Sequence, residues 1–219
     1  MSRPKGNNSR LSPEKIRKVL SILENEYGNT GTALKFRSKF QLLVSTMMAA
    51  QSTDKQVNKI TKALFVELPD ATAFSKLSPE ELEEKIKQVG LFRSKARNIV
   101  AASKMILDEF NGRVPDSREA LMKLPGVGRK TANVVLSVGF QQDAIAVDTH
   151  VFRVSNRIGL AGGKDVRETE EHLMRNIPQD KWSAAHHWLI WHGRKICKAQ
   201  KPACGVCPIR KYCWYAQKP

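Results

Sequence analysis

The run Leu124-Pro125-Gly126-Val127-Gly128-Arg129-Lys130-Thr131 constrains what this chain can fold into more than any other stretch. Two glycines two residues apart, behind an apolar–proline pair and ahead of a helical pattern, specify a tight hairpin between two helices. Glycine admits positive φ and lets the backbone approach a ligand closely. The hairpin N–H groups and the N-terminus of the second helix together make an anion site suited to a DNA phosphate. Lys130 falls in the first turn of that helix, where the positive end of the helix dipole disfavours an ammonium and favours a nucleophilic amine. Asp148 follows 18 residues later. The residue types alone leave both positions open. Lys130 is either a nucleophile or one more phosphate contact. Asp148 is either a carboxylate that takes part in chemistry or the N-cap of a helix from Val151 to Ile158. Those two roles for Asp148 are compatible, since a cap fixes a carboxylate's direction.

The charge balance points to a polyanionic partner. The 219 residues carry a formal charge of +16, enough for long-range attraction to nucleic acid. The excess is concentrated. Residues 181–219 hold Lys181, Arg194, Lys195, Lys198, Lys201, Arg210, Lys211 and Lys218 with no Asp or Glu, and Arg3, Lys5 and Arg10 precede the first acid, Glu14. A solvated basic tail has this charge, but here the cations are interleaved with Trp182, Trp188, Trp191, Trp214 and four cysteines, which implies a folded segment. No apolar run approaches the ~20 residues of a membrane span, and the basic N-terminus lacks the hydrophobic stretch of a secretory signal. The expectation is a cytoplasmic protein in a reducing compartment, so the cysteines are not read first as disulfides.

The pattern is helical nearly throughout. Apolar residues recur three and four apart at Ile16, Val19, Leu20 and Leu23, and again at Ile99, Ala102, Met105 and Ile106. Ser12-Pro13 and Ser78-Pro79 set a cap before a first-turn proline, while Ser78…Glu81, Asp116…Glu119 and Asp165…Glu168 have capping-box spacing. Gly28, Gly90, Gly112 and Gly139 stand where helices are expected to stop. Phe40 to Ala50 is apolar almost all round, as in a buried central helix. No segment has the alternation of a strand. The fold class expected is all-α.

The cysteines Cys197, Cys204, Cys207 and Cys213 follow the spacing C-x6-C-x2-C-x5-C, with Pro202 and Pro208 restricting the loops between them. Four thiolates in so short a segment suit a metal better than free thiols, and the chemistry leaves tetrahedral Zn²⁺ and a [4Fe–4S] cluster both open.

Taken together, the hairpin with its lysine, the Val147-Asp148-Thr149-His150 segment and the 6-2-5 cysteine spacing resemble the endonuclease III family of DNA glycosylases, from about residue 12 to 214. The cysteine spacing is specific to the iron–sulfur glycosylases, so the resemblance implies a [4Fe–4S] cluster on those four residues. It also implies two helical domains flanking a DNA-binding cleft. One, over 31–141, is a six-helix domain containing the hairpin; the other is discontinuous, 1–30 with 142–219, and carries the cluster.

Further residues take roles from the same resemblance. Ala49-Ala50-Gln51-Ser52-Thr53-Asp54 resembles the segment whose glutamine fills the gap left by an extruded nucleotide, here Gln51. Gly90-Leu91-Phe92-Arg93-Ser94-Lys95-Ala96 resembles a second wedge, with Leu91 against the opposite strand. Without the family, Gln51 is a polar residue at a helix end and Leu91 a packing contact. Extracting a base costs about a few kcal/mol, which an amide and an apolar wedge partly offset. Gly126, Gly128, Arg129, His150, Lys198 and Lys201 are the expected DNA contacts, with Lys130 and Asp148 catalytic. Related adenine glycosylases carry a glutamate where Thr46 stands and lack the lysine. The reading is therefore a monomeric bifunctional glycosylase and abasic-site lyase for oxidised pyrimidines in double-stranded DNA, nucleoid-associated and free of any membrane. The alternatives are a monofunctional glycosylase for another lesion, and a non-catalytic iron–sulfur DNA-binding protein.

Overall fold

The computed structural model describes residues 9–28 and 30–217; Arg3, Lys5 and Lys218 of the basic termini lie outside them. Every regular element among the described residues is helical. In chain order these are α1 (Pro13–Tyr27), α2 (Lys39–Ala49), α3 (Asp54–Glu67), α4 (Ala71–Ser75), α5 (Pro79–Ile86), α6 (Phe92–Phe110), α7 (Arg118–Leu121), α8 (Arg129–Val134), α9 (Thr149–Ile158), α10 (Val166–Asn176) and α11 (Trp182–Lys195). None is long and apolar enough to cross a membrane. The chain divides into two compact units, Thr32–Gln142 and Met1–Gly31 with Asp143–Pro219.

In the Thr32–Gln142 unit α2 is the centre, because its sequence leaves almost no polar face: Phe40 to Ser45, Met47 and Met48 are all buried. Ser38 starts it, accepting the Gln41 N–H at 3.1 Å, and α3, α6 and α8 pack around it. The longest helix, α6, turns Ile99, Ala102 and Ile106 inward and packs on α4 and α5. Truncating one such buried isoleucine to alanine costs about 2–5 kcal/mol.

In the other unit α1 packs on α11, α11 on α9, and α9 on α10. Val19, Leu20, Leu23, Val151, Ile158, Leu173, Trp188 and Leu189 form one core. Segments near the two ends of the described residues meet there. Arg10 N–H donates to Gly159 O and Trp214 N–H to Ile158 O, each at 2.9 Å, and the Arg10 guanidinium lies 3.8 Å from the centre of the Trp214 ring.

Several helix boundaries depart from the sequence pattern. Ser12 and Ser78 cap as expected, the latter in a full capping box with Glu81. At α7 the cap is Ser117 rather than Asp116, because Ser117 Oγ reaches the Ala120 N–H at 3.2 Å. The Asp165 cap holds the Glu168 N–H, but the Glu168 carboxylate reaches back to Lys164 N–H instead of to the cap itself. The left-handed turn ending α6 begins at Asn111, φ +52, one residue before Gly112; asparagine tolerates that region. Gly90 stops no helix, since α5 has already ended at Ile86. Past α8 the backbone continues as a π-helical turn, Val135–Gly139.

Candidate functional site

The hairpin lies between α7 and α8. Leu121, Leu124 and Val127 are buried and anchor it, Val127 N–H returns to Leu124 O at 3.0 Å, and Arg118 Nε ties α7 to α8 through Asn133 Oδ1 at 2.8 Å. The two glycines do different work. Gly126 has φ +78, and a Cβ there would fall 2.8 Å from the Asn98 side chain. Gly128, the N-cap of α8, has φ −89, and a Cβ there would meet nothing within 4 Å. No contact among the described residues requires glycine at 128. Arg129 and Lys130 are the first two residues of α8, with Lys130 exposed.

Gln51 and Leu91 lie on adjoining segments of the same unit. Both have left-handed backbones, φ +54 and +58. Gly90 N–H donates to Ser52 Oγ at 3.1 Å, and a Cβ on Gly90 would sit 2.8 Å from Gln51 O. Leu91 is 57% exposed, so it does not pack on its own fold. Thr46 turns its hydroxyl back to Leu42 O at 2.8 Å.

Asp148 belongs to the other unit. It caps α9, its Oδ1 accepting the Val151 N–H at 2.8 Å, and it is half-buried. His150, in the first turn of α9, has its Nδ1 3.1 Å from Arg153 Nη2. Arg153 also donates to Gly193 O and Cys197 O, both at 3.1 Å. Arg157, four residues further along α9, donates to Lys198 O at 2.7 Å and Ala199 O at 2.8 Å. The helix that starts at Asp148 therefore also holds the start of the cysteine loop, with Lys198 and Lys201 exposed on it. The i,i+4 spacing of Arg153 and Arg157 is the signal that sequence reasoning passed over.

None of the four cysteines is in a disulfide. All four line one pocket, with Ile158, His192, Ile196 and Ile209. Burial pushes the Cys207 and Cys213 thiols up, and charge on the neighbouring cysteines adds to the rise. Four sulfurs gathered around one pocket suit a metal centre that takes them as thiolates. A four-cysteine donor set fits a tetrahedral zinc and a [4Fe–4S] cluster alike. Burial raises the Tyr27 pKa to about 12, leaving its hydroxyl a donor. It lies 3.2 Å from His192 Nδ1, and burial lowers the His192 pKa to about 4. The ring is thus held neutral, with Nε2 3.6 Å from Cys207 Sγ.

Residues 44–179 match the HhH-GPD superfamily of base excision DNA repair proteins, and residues 197–213 the iron–sulfur binding domain of endonuclease III. The endonuclease III of Rickettsia conorii is 48% identical over 91% of this chain and 95% of its own. That of Escherichia coli K12 is 44% identical over 95% and 99%. The chain belongs to the endonuclease III family. A solved structure of a trapped endonuclease III–DNA covalent intermediate, an estranged-adenine complex, superposes with a TM-score of 0.90 at 45% identity, covering 94% of this chain and 97% of that one. As a member of this family whose iron–sulfur domain is matched over residues 197–213, the chain binds a [4Fe–4S] cluster in the segment that carries the four cysteines.

Proposed function

We propose that this chain is a bifunctional DNA glycosylase and abasic-site lyase that removes oxidised pyrimidines from duplex DNA. The observation that carries the reading is Lys130, exposed at the start of α8 behind a hairpin whose Gly128 leaves room for a phosphate. A relative of the same fold at 45% identity has been trapped covalently on DNA.

The hairpin N–H groups take the phosphate and set the register of the strand. Lys130 Nζ attacks C1′ of the extruded nucleotide, giving up a proton as the bond forms, and the base leaves with the bonding electrons. Asp148 stabilises the positive charge developing at the sugar and helps move the protons. The sugar ring opens to an iminium with Lys130, which acidifies the C2′ hydrogen. Loss of that proton expels the 3′ phosphate oxygen, so the strand is cut 3′ to the lesion. Gln51 and Leu91 fill the space the nucleotide leaves. When bound, the [4Fe–4S] cluster supplies a four-point cross-link of the C-terminal loop; Arg153 and Arg157 orient that loop, and Lys198 and Lys201 contact phosphates from it. The chain acts as a monomer on nucleoid DNA in the cytoplasm. Residues 31–141 serve as the hairpin domain, and 1–30 with 142–219 as the cluster-bearing domain.

Borohydride trapping on an abasic duplex tests the chemistry. The parent chain gives a covalent complex. Lys130→Gln retains binding and loses both base release and trapping. Trapping that persists in Lys130→Gln moves the chemistry to another amine.

A further inference from the structure

Lys95 lies in the first turn of α6, in the polar string Arg93-Ser94-Lys95, yet it is only 6% exposed. Lysine is almost never so buried without a partner. Here every partner of the ammonium is a neutral oxygen: Met48 O at 2.8 Å, Ala50 O, and Ser52 Oγ at 3.4 Å. Met48 and Ala50 belong to the last turn and the cap of α2, where unsatisfied carbonyls gather the negative end of the helix dipole. The charge is thus matched to a helix end rather than to a carboxylate. Burial pushes its pKa down.

The same residue is fixed to the second segment. Lys95 N–H donates to Leu91 O at 3.1 Å, closing the first turn of α6 on Leu91. Ser52 Oγ, which the ammonium reaches, also accepts the Gly90 N–H at 3.1 Å. Two segments far apart in sequence, each with a left-handed non-glycine residue at its tip, therefore meet over one buried ammonium. Such a conformation is strained for a residue with a side chain and persists only where the surroundings over-determine it.

We propose that Lys95 is a positioning residue whose buried ammonium clamps the Gln51 and Leu91 segments together, holding both side chains preformed for entry into the duplex. The proposal rests on the reading of Gln51 and Leu91 as the pair that fills the vacated space. A wedge set in advance loses little conformational freedom when the nucleotide leaves, so more of its contact energy offsets extrusion. Lys95 touches neither DNA nor the reacting sugar in this scheme, since its ammonium is enclosed and directed at three acceptors.

The test is a double-mutant cycle between Lys95→Met and Gln51→Ala. It measures affinity for a duplex holding a tetrahydrofuran abasic analogue, affinity for the intact duplex, and the fluorescence of 2-aminopurine placed opposite the lesion. Melting temperature and iron content report folding. Lys95→Met should lower the abasic-to-intact preference about tenfold and weaken the unstacking signal, while the salt dependence on intact duplex stays that of the parent. Gln51→Ala should give a comparable loss, and the combined variant no more than either alone. A folded Lys95→Met with full preference overturns the proposal, and so do losses that multiply. No loss in Gln51→Ala alone instead defeats the wedge reading on which the proposal stands. Should Lys95→Met not fold, Lys95→Arg keeps the charge without the compact three-way geometry and should lose preference likewise. A folded Lys95→Arg that binds the abasic duplex as the parent does overturns the clamp.

Discussion

Asp148 Oδ1 accepts the Val151 N–H at 2.8 Å, so the carboxylate assigned to the sugar is also the N-cap of α9. The two duties separate by substitution. Asparagine caps about as well as aspartate, whereas alanine loses about 1 kcal/mol, or roughly 2–4 °C of melting temperature in a chain of this size. Asp148→Asn is expected to melt with the parent and lose glycosylase turnover by orders of magnitude. Asp148→Ala is expected to lose turnover and melt lower. If Asp148→Asn keeps full activity per folded molecule, Asp148 is a cap and nothing more.

The hairpin glycines give a second separable pair. Alanine at Gly126 meets Asn98 at 2.8 Å with φ +78, so Gly126→Ala should destabilise the fold by at least about 1–2 kcal/mol, the cost of left-handed backbone alone. Gly128 has an ordinary φ and open space around it, so in Gly128→Ala the gain of about 0.4–1 kcal/mol from a stiffer unfolded chain is offset by alanine's poorer N-cap, and stability should change little. Its effect belongs on DNA: a methyl where the phosphate approaches should weaken duplex binding about tenfold, equivalent to about 1.4 kcal/mol. Calorimetry and anisotropy on the two variants check this, and unaltered DNA affinity in Gly128→Ala would remove the phosphate from that end of the hairpin.

The cysteine pocket predicts a brown protein with about four irons per chain and little zinc. Cys213 is the buried member of the set, with its Sγ 3.6 Å from Arg157 O. Cys213→Ser should therefore lose iron and loosen the loop, costing DNA affinity before it costs chemistry on substrate already bound. Metal analysis that finds one zinc in fully active protein would sink the assignment.

What was legible in the sequence was local. The hairpin and the cysteine spacing are short-range patterns in which a fixed offset carries the chemistry, and Ser12 and Ser78 announce their helices within a few residues. The rest depends on contacts between distant residues. Lys95 sits in a string that has the composition of a solvated face, and only the folded position of the α2 carbonyls makes it a buried clamp. Gly126 and Gly128 look alike in sequence and differ because Asn98, on α6, lies under one and not the other. The offset between Asp116 and Ser117 is of another kind: both residue types cap, and propensity does not choose between neighbours.

The exposed lysines of the cysteine loop bear on how the enzyme finds DNA. Arg157 holds Lys198 O and Ala199 O, so the loop backbone is fixed independently of the Lys198 and Lys201 side chains. Their charge can therefore be removed with the loop intact, provided that position 201 keeps a residue tolerant of its φ of +47. Lys198→Gln with Lys201→Asn meets that condition, since asparagine visits the left-handed region readily. If both lysines neutralise phosphates, the slope of log K against log salt should become shallower by up to roughly 1.8 in the double variant, about 0.9 for each lysine–phosphate pair. Affinity should fall alike for damaged and intact duplex, because phosphate contacts position the protein without carrying sequence or lesion information. Arg157→Ala is the control: it should also weaken binding, but with release of the loop and an earlier thermal transition. An unchanged salt slope in the double lysine variant, with iron content and melting temperature those of the parent, would return Lys198 and Lys201 to a solubilising role and leave the hairpin as the principal phosphate clamp.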